Sequence, residues 1–293
     1  MSSQSNKTDK KIAFQGTYGA YSDLACRTVY PDYETMPCNS FEEAFAAVRD
    51  ENADFAMIPV DNTIAGRVAD VHTLMPEGDL FIIGEHFQPI RHALLGVKGT
   101  SKEVLSHVHS HIHALPQCKK FIQKLKLEAH IHADTAGAAE EVAKRGDVSH
   151  GAIASKLAAE IYGLDILAED VQDAGHNTTR FLILAPEPHI PDDLDEKTIT
   201  SLIFEVRNIP ASLYKSLGGF ATNGLNIVKL ESYVDENFHA AQFYLDVEGH
   251  PESKTFNLAL EELGFYAKDV KFLGSYPADP SRKIYANNIG DFE

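Results

Sequence analysis

The sequence predicts an α/β protein, with two successive β-α-β blocks forming a two-lobed body and a smaller βαββαβ unit after them. Three observations carry this. Short apolar runs alternate with helix-period segments from about residue 11 to residue 184. A proline- and acid-rich stretch, residues 185–197, then interrupts the pattern. Beyond it the order becomes strand, helix, two strands, helix, strand.

The elements follow in order. Ile12, Ala13 and Phe14 read as a strand, followed by a turn rich in glycine and tyrosine and a helix from about Tyr21. Ser40 and Glu43 form a capping box, in which Ser40 caps the helix at 41–49 and Glu43 returns a bond to the Ser40 backbone. Residues 53–60 and 80–85 are apolar strands, so this block implies a mostly parallel sheet covered on both faces. The second block begins near Ile90. Its expected strands are 93–97, 106–110, 130–133 and 150–155, and its expected helices are 114–125, 135–144 and 155–162. Asp134 and Ser155 are placed as helix caps. The blocks share a pattern but no clear sequence repeat. Two such lobes would enclose a cleft, with ligand sites at the carboxyl ends of the strands.

Residues 185–197 hold three prolines and five carboxylates, which suits a stiff linker. After it come a strand at 201–206, a helix with Leu213, Leu217 and Phe220 on one face, and a strand at 225–232. Ala241, Phe243, Leu245 and Val247 alternate with polar neighbours, so that strand is buried on one side. A helix with Phe256, Leu260 and Leu263 and a strand at 270–276 complete a ferredoxin-like βαββαβ unit, whose exposed edge invites pairing with a second copy. The expected division is a tail at 1–10, a body at 11–185, a linker at 186–197, the small unit at 198–280 and a tail at 281–293.

Composition narrows the function. The 293 residues are 44% hydrophobic, which is globular rather than disordered. A net charge of −17 argues against nucleic acid and anionic membranes, but not against an anionic small substrate in a local pocket. No apolar run has membrane-spanning length, and the polar start lacks a signal-peptide core. Cys26, Cys38 and Cys118 are odd in number and widely spaced, which suggests reduced thiols and a cytoplasmic location.

Four segments place polar groups at element boundaries. They are the turn at 16–23, Asp61-Asn62-Thr63 after an apolar strand, Ser110 through Gln117 and Cys118, and Asn177-Thr178-Thr179-Arg180-Phe181 entering an apolar strand. Helix caps and surface side chains account for each one taken singly. His107, His109, His111 and His113 are spaced by two, which puts them on one strand face, and one strand cannot wrap a tetrahedral ion. Neither the dinucleotide fingerprint, the phosphate loop nor a nucleophile elbow is present, so neither cofactor nor metal is expected.

Taken together the segments resemble prephenate dehydratase followed by a C-terminal ACT regulatory domain. The matches run in the family's order: 16–23 with its glycine turn, Asp61-Asn62-Thr63 with Glu-Asn-Ser, 110–118 with Ser-His-Pro-Gln-Ala-Leu-x-Gln-Cys, 151–155 and 158–164 with a further stretch, and 177–181 with Asn-x-Thr-Arg-Phe. The resemblance implies a type II periplasmic-binding-protein-like body and the decarboxylating dehydration of prephenate to phenylpyruvate in phenylalanine biosynthesis. It implies that Thr179 donates to the leaving hydroxyl. Asn62, Ser110 and Gln117 would orient substrate as catalytic residues, and Thr63, Asp134, Arg180 and Phe181 would line its site. Arg180 is either a carboxylate partner or a brace of the cleft. In the small unit, Pro210-Ala211-Ser212-Leu213 stands where Pro-Gly-Ala-Leu is usual, and Glu231-Ser232-Tyr233-Val234 where Glu-Ser-Arg-Pro is usual. The resemblance places L-phenylalanine near Asn208, Ala211, Ser212, Leu213, Leu230, Glu231 and Ser232, in a homodimer or homotetramer. Arogenate dehydration, or solute or amino-acid binding without chemistry, are the alternatives.

Overall fold

The computed structural model describes residues 10–77, 79–194, 196–207, 209–234 and 240–282. Asn208 and most of both expected tails lie outside the described residues. The chain divides into two compact units, residues 1–71 with 86–181 and residues 72–85 with 182–293.

The elements up to the linker are β1 (Lys11–Gln15), α1 (Tyr21–Val29), β2 (Glu34–Cys38), α2 (Phe41–Arg49), β3 (Phe55–Asn62), β4 (Gly66–Arg67), α3 (Ala69–Leu74) and β5 (Phe81–Pro89). They continue with β6 (Ala93–Gly96), β7 (His107–His111), a 3-10 turn (Pro116–Cys118), α4 (Lys119–Leu125), β8 (Glu128–His132) and α5 (Thr135–Arg145). Last come β9 (His150–Ala154), α6 (Lys156–Tyr162), β10 (Asp165–Ala168) and β11 (Thr178–Ala185). One sheet has the order β2-β1-β3-β11-β5 with β4 on β3, and a second has the order β10-β6-β9-β7-β8.

Four of these elements, β2, β4, α3 and β10, are additions to the sequence reading. β2 carries Pro37, which reads as a turn but is tolerated because the strand lies at a sheet edge. The helix expected at 114–125 is broken, because Pro116 opens a 3-10 turn before α4 begins at Lys119. Parallel pairing holds for β1 with β2 and β3, but β6 runs antiparallel to both β9 and β10. The capping box also differs in one bond: Ser40 accepts from the Glu43 amide, while the Glu43 carboxylate takes the Asn39 amide at 2.8 Å.

Why the second sheet reads as continuous apolar runs is visible in β6. Leu94 packs with Leu105, Val108, Ile122 and Ile153, while Leu95 packs with Ala136, Ala139, Val142 and Ala158. Successive residues face opposite sides, and helices cover both. The alanines of α5 keep that helix close to the sheet.

The second unit contains β12 (Thr198–Val206), α7 (Ser212–Thr222), β13 (Asn226–Val234), β14 (Ala240–Glu248), α8 (Lys254–Tyr266) and β15 (Ala267–Pro277). The strand order is β13-β14-β12-β15, with every pairing antiparallel. Phe204, Phe220, Phe243, Phe256, Leu245 and Leu263 form its core between sheet and helices. Residues 72–85 belong to this unit for two visible reasons. Gly274 lies so close to Ile82 that a Cβ would fall 2.0 Å from the Ile82 carbonyl oxygen. The buried Glu85 carboxylate also receives Arg282, with Nη2 at 2.6 Å.

Helix α7 starts from a strained residue. Its N-cap, Ala211, has φ +62°, a left-handed conformation in which a Cβ costs about 1–2 kcal/mol. Ala211→Gly removes that cost and is expected to stabilise this unit by about 1 kcal/mol, net of glycine's added unfolded-state entropy. Urea unfolding followed by circular dichroism checks this; an unchanged or lower midpoint would contradict it.

Candidate active site

Asn62 ends β3, and the chain turns sharply after it. Its side-chain oxygen accepts the backbone N–H groups of Ile64 (2.9 Å) and Ala65 (2.8 Å), closing an Asx-type turn. With the oxygen so occupied, Nδ2 must point the other way. It donates to Asn177 Oδ1 (2.8 Å) and to Thr179 Oγ1 (2.9 Å), with the Thr178 carbonyl at 3.3 Å. Thr63 fixes the facing loop. Its amide donates to the Thr178 carbonyl (3.0 Å), its hydroxyl donates to the His176 carbonyl (2.8 Å), and it accepts the Thr178 amide (3.0 Å).

The orientation then propagates. Asn177 has its oxygen toward Asn62, so its Nδ2 donates to Gln117 Oε1 at 2.6 Å. Gln117 Oε1 also faces His92 Nε2 at 3.3 Å, so the neutral ring carries its proton on Nε2. His92 Nδ1 is then an acceptor facing the Tyr21 hydroxyl at 2.9 Å, and that hydroxyl shares its one proton with the Arg91 carbonyl, to which it donates at 2.8 Å. Burial lowers the His92 pKa to about 4, against a smaller raising effect of its bond to Gln117. Burial pushes the Tyr21 hydroxyl well up. The chain Tyr21–His92–Gln117–Asn177–Asn62–Thr179 is therefore uncharged at neutral pH. Thr179 Oγ1 accepts from Asn62, so its own proton is free to point into the adjoining cavity.

That cavity holds about 310 Å³ and is lined by Asn62, Gln117, Asn177, Thr179 and Phe181, with His92, His111, His113 and Phe41 among the other walls. Among the described residues, the walls include neither carboxylates, lysines nor arginines. A second cavity of about 370 Å³ shares Ala65, His113 and Gln117 with it and adds Asp173. The turn at 16–23 is docked on α6: Ser155 donates to the Gly19 carbonyl (2.6 Å) and Tyr162 to the Tyr18 carbonyl (2.8 Å). Gly19 has φ +87°, and a Cβ there would come within 2.8 Å of the Ala158 Cα.

The structure brings together Asn62, Gln117, Thr179 and Phe181, and holds the other expected site residues apart from the cavity. Ser110 is fully buried and donates to the Ile153 carbonyl at 2.6 Å. Asp134 caps α5 through the Gly137 amide (2.7 Å) and receives Thr17 (3.2 Å). Arg180 lies between the two cavity-facing residues Thr179 and Phe181, so strand alternation turns it to the other face. There it is buried, with Asp61 at 3.9 Å.

Residues 12–189 match the family model for prephenate dehydratase. The chain belongs to the prephenate dehydratase family. A bifunctional N-acyl-homoserine lactone acylase/prephenate dehydratase of Komagataeibacter europaeus is 48% identical over 94% of this chain and 98% of its own length. An arogenate dehydratase/prephenate dehydratase of Arabidopsis thaliana is 39% identical over 95% of this chain and 74% of its own. The crystal structure of prephenate dehydratase from Arthrobacter aurescens, in complex with L-phenylalanine, superposes with a TM-score of 0.83 at 25% identity, covering 95% of this chain and 99% of that one.

Two members of this hydrogen-bonded network, Asn177 and His92, have no role in the sequence reading. Asn177 carried a signal, since it opens the motif that contains Thr179. His92 carried none, because only folding brings it to Gln117. Its depressed pKa has a consequence for stability. The unfolded chain takes up a proton near pH 6.5 while the folded one resists until about pH 4. The contribution of His92 is full above pH 6.5 and lost as pH falls toward 4, to a limit of roughly 3 kcal/mol. His92→Gln is expected to flatten the fall of the urea midpoint across that window. Equal pH slopes in variant and parent would contradict the assignment.

Proposed function

We propose that the protein converts prephenate to phenylpyruvate, and that the observation carrying this reading is the Asn62 bond to Thr179 Oγ1 at 2.9 Å. In the reaction the carboxylate-to-ring bond breaks and its electrons enter the ring. The ring C–O bond breaks in turn, and carbon dioxide and hydroxide leave. The hydroxide takes up one proton to give water, and aromatisation drives the sequence. The protein therefore has to orient the ring and stabilise departing hydroxide. Thr179 donates its hydrogen bond to that oxygen, and the Asn62 amide polarises the threonine by donating to it. A threonine hydroxyl is a poor acid, so its contribution is stabilisation of charge, with solvent as the ultimate proton source. Gln117 has its oxygen occupied twice, which leaves its Nε2 to bind substrate. Phe181 walls the pocket, Thr63 and Asp134 hold the loops, and Ser110 and Arg180 support the two strands that end at the site.

Prephenate is favoured over arogenate because the cavity walls, among the described residues, offer no carboxylate to an ammonium group. Asp173 in the adjoining cavity accepts the Lys120 amide at 3.2 Å. The three free, buried cysteines suit a reducing cytoplasm. The four-stranded unit is read as an ACT domain whose edge strand, β13, pairs with a second copy in a homodimer or homotetramer. Its proposed phenylalanine site is the start of α7. Ser212 Oγ and Ser216 Oγ are buried there without a hydrogen-bond partner. Ala211 and Leu213 flank them, and Leu230, Glu231 and Ser232 lie on β13. The phenylalanine complex of the Arthrobacter relative supports this reading.

Two measurements test these proposals. Thr179→Val is expected to lower kcat by roughly 10²–10⁴-fold with a smaller change in KM, while Thr179→Ser, which keeps the hydroxyl, retains most activity. Near-normal turnover by a folded Thr179→Val protein would refute the role, and faster turnover of arogenate would reverse the substrate. Calorimetry with L-phenylalanine is expected to show saturable heat that Ser212→Val reduces. No heat and no inhibition at millimolar phenylalanine would refute the regulatory site.

A further inference from the structure

Folding supplies what the histidine-spaced strand lacks alone, a second strand of ligands beside it. β7 and β8 pair in parallel, with His107 opposite Glu128 and His109 opposite His130. His107, His109, Glu128 and His130 therefore share one face of the sheet. His107 Nδ1 lies 3.0 Å from His130 Nε2. Glu128 reaches between them, with Oε2 3.7 Å from His107 Nδ1 and Oε1 3.6 Å from His130 Nε2. The carboxylate is too far from either ring for a hydrogen bond. The two carboxylate separations lie near the edges of a tetrahedral site, while the 3.0 Å between the ring nitrogens is a hydrogen bond that an entering ion would replace. Metal–nitrogen and metal–oxygen bonds of about 2.0–2.2 Å place neighbouring ligand atoms about 3.4 Å apart.

The rings are also held in place. His107 stacks on His150 of β9 with centroids 4.4 Å apart, and His109 stacks on His130 at 4.9 Å. His109 Nε2 and His150 Nδ1 lie 2.8 Å apart, so the second pair bonds to itself and anchors the first. The three donor groups are solvent-accessible, with Glu128 the most exposed, which leaves an entry path and a fourth position for water. The cluster sits at the start of β7, whereas the cavity wall His111 is four residues on, roughly 13 Å along the strand.

We propose that His107, His130 and Glu128 bind one divalent transition-metal ion of the zinc type, separate from the dehydratase cavity, clipping the edge strand β8 to β7. Two imidazoles and a carboxylate form a donor set suited to Zn²⁺ and poorly suited to Mg²⁺ or Ca²⁺. The test uses the full chain without an affinity tag, stripped with chelator and titrated with zinc chloride by calorimetry, with thermal unfolding followed alongside. The expected result is one saturable zinc site with micromolar or tighter affinity and a zinc-dependent rise in Tm. His107→Ala and His130→Ala should each weaken binding by about tenfold or more and abolish the Tm rise. Glu128→Gln, a surface change that leaves the fold intact, should also weaken it, whereas His189→Ala should not. Absence of saturable binding by the parent chain, or binding of equal strength in both histidine variants and Glu128→Gln, would overturn the proposal.

Discussion

A single side-chain amide sets the polarity of the site. The Asn62 oxygen is claimed by two backbone N–H groups of the turn that follows it, so its nitrogen can only face Asn177 and Thr179. Every later orientation depends on that one. Asn177 must present its oxygen to Asn62 and its nitrogen to Gln117, and Gln117 must then present its oxygen to Asn177 and His92. The network ends in a threonine whose lone pair is occupied and whose proton is free. In the proposed reaction a hydroxyl prepared in this way would be a fixed donor, needing no reorganisation as charge develops on a leaving oxygen.

The scaffold explains why the arrangement can persist. Asn177 and His92 are almost wholly buried, where an unpaired polar group would cost about 1–3 kcal/mol, so the directed bonds satisfy the fold and the site together. Asn62 ends one strand and Thr179 lies at the start of another, and Thr63 ties the chain entering that second strand to the same turn through three hydrogen bonds. Arg180 is buried on the reverse of the strand beside Asp61, so the positive charge of the motif faces away from the cavity.

Much of this was legible in the sequence. The order of motifs located Asn62, Gln117 and Thr179, and the β-α-β rhythm located the strands that carry them. Ser110 and Arg180 stand in the motifs but lie off the cavity. Neighbours of a functional residue on a strand alternate in direction, so half of any strand motif points away from the ligand. For Arg180 that alternation was itself readable from Thr179 and Phe181. His92, and the approach of His130 to His107, were not readable, because they depend on which strands become neighbours. The missed elements β2 and β10 are short, and proline in β2 hides it from any pattern based on propensity.

The most direct test of the central claim is a double-mutant cycle on kcat/KM with Asn62→Asp and Thr179→Val. Aspartate keeps both backbone contacts of the turn but puts an acceptor where the amide nitrogen was. The threonine proton would then turn toward residue 62 and away from substrate. The account requires strong non-additivity: each single change costs nearly as much as the pair. Independent, additive losses would contradict it, because they would show that Asn62 and Thr179 act on the reaction separately.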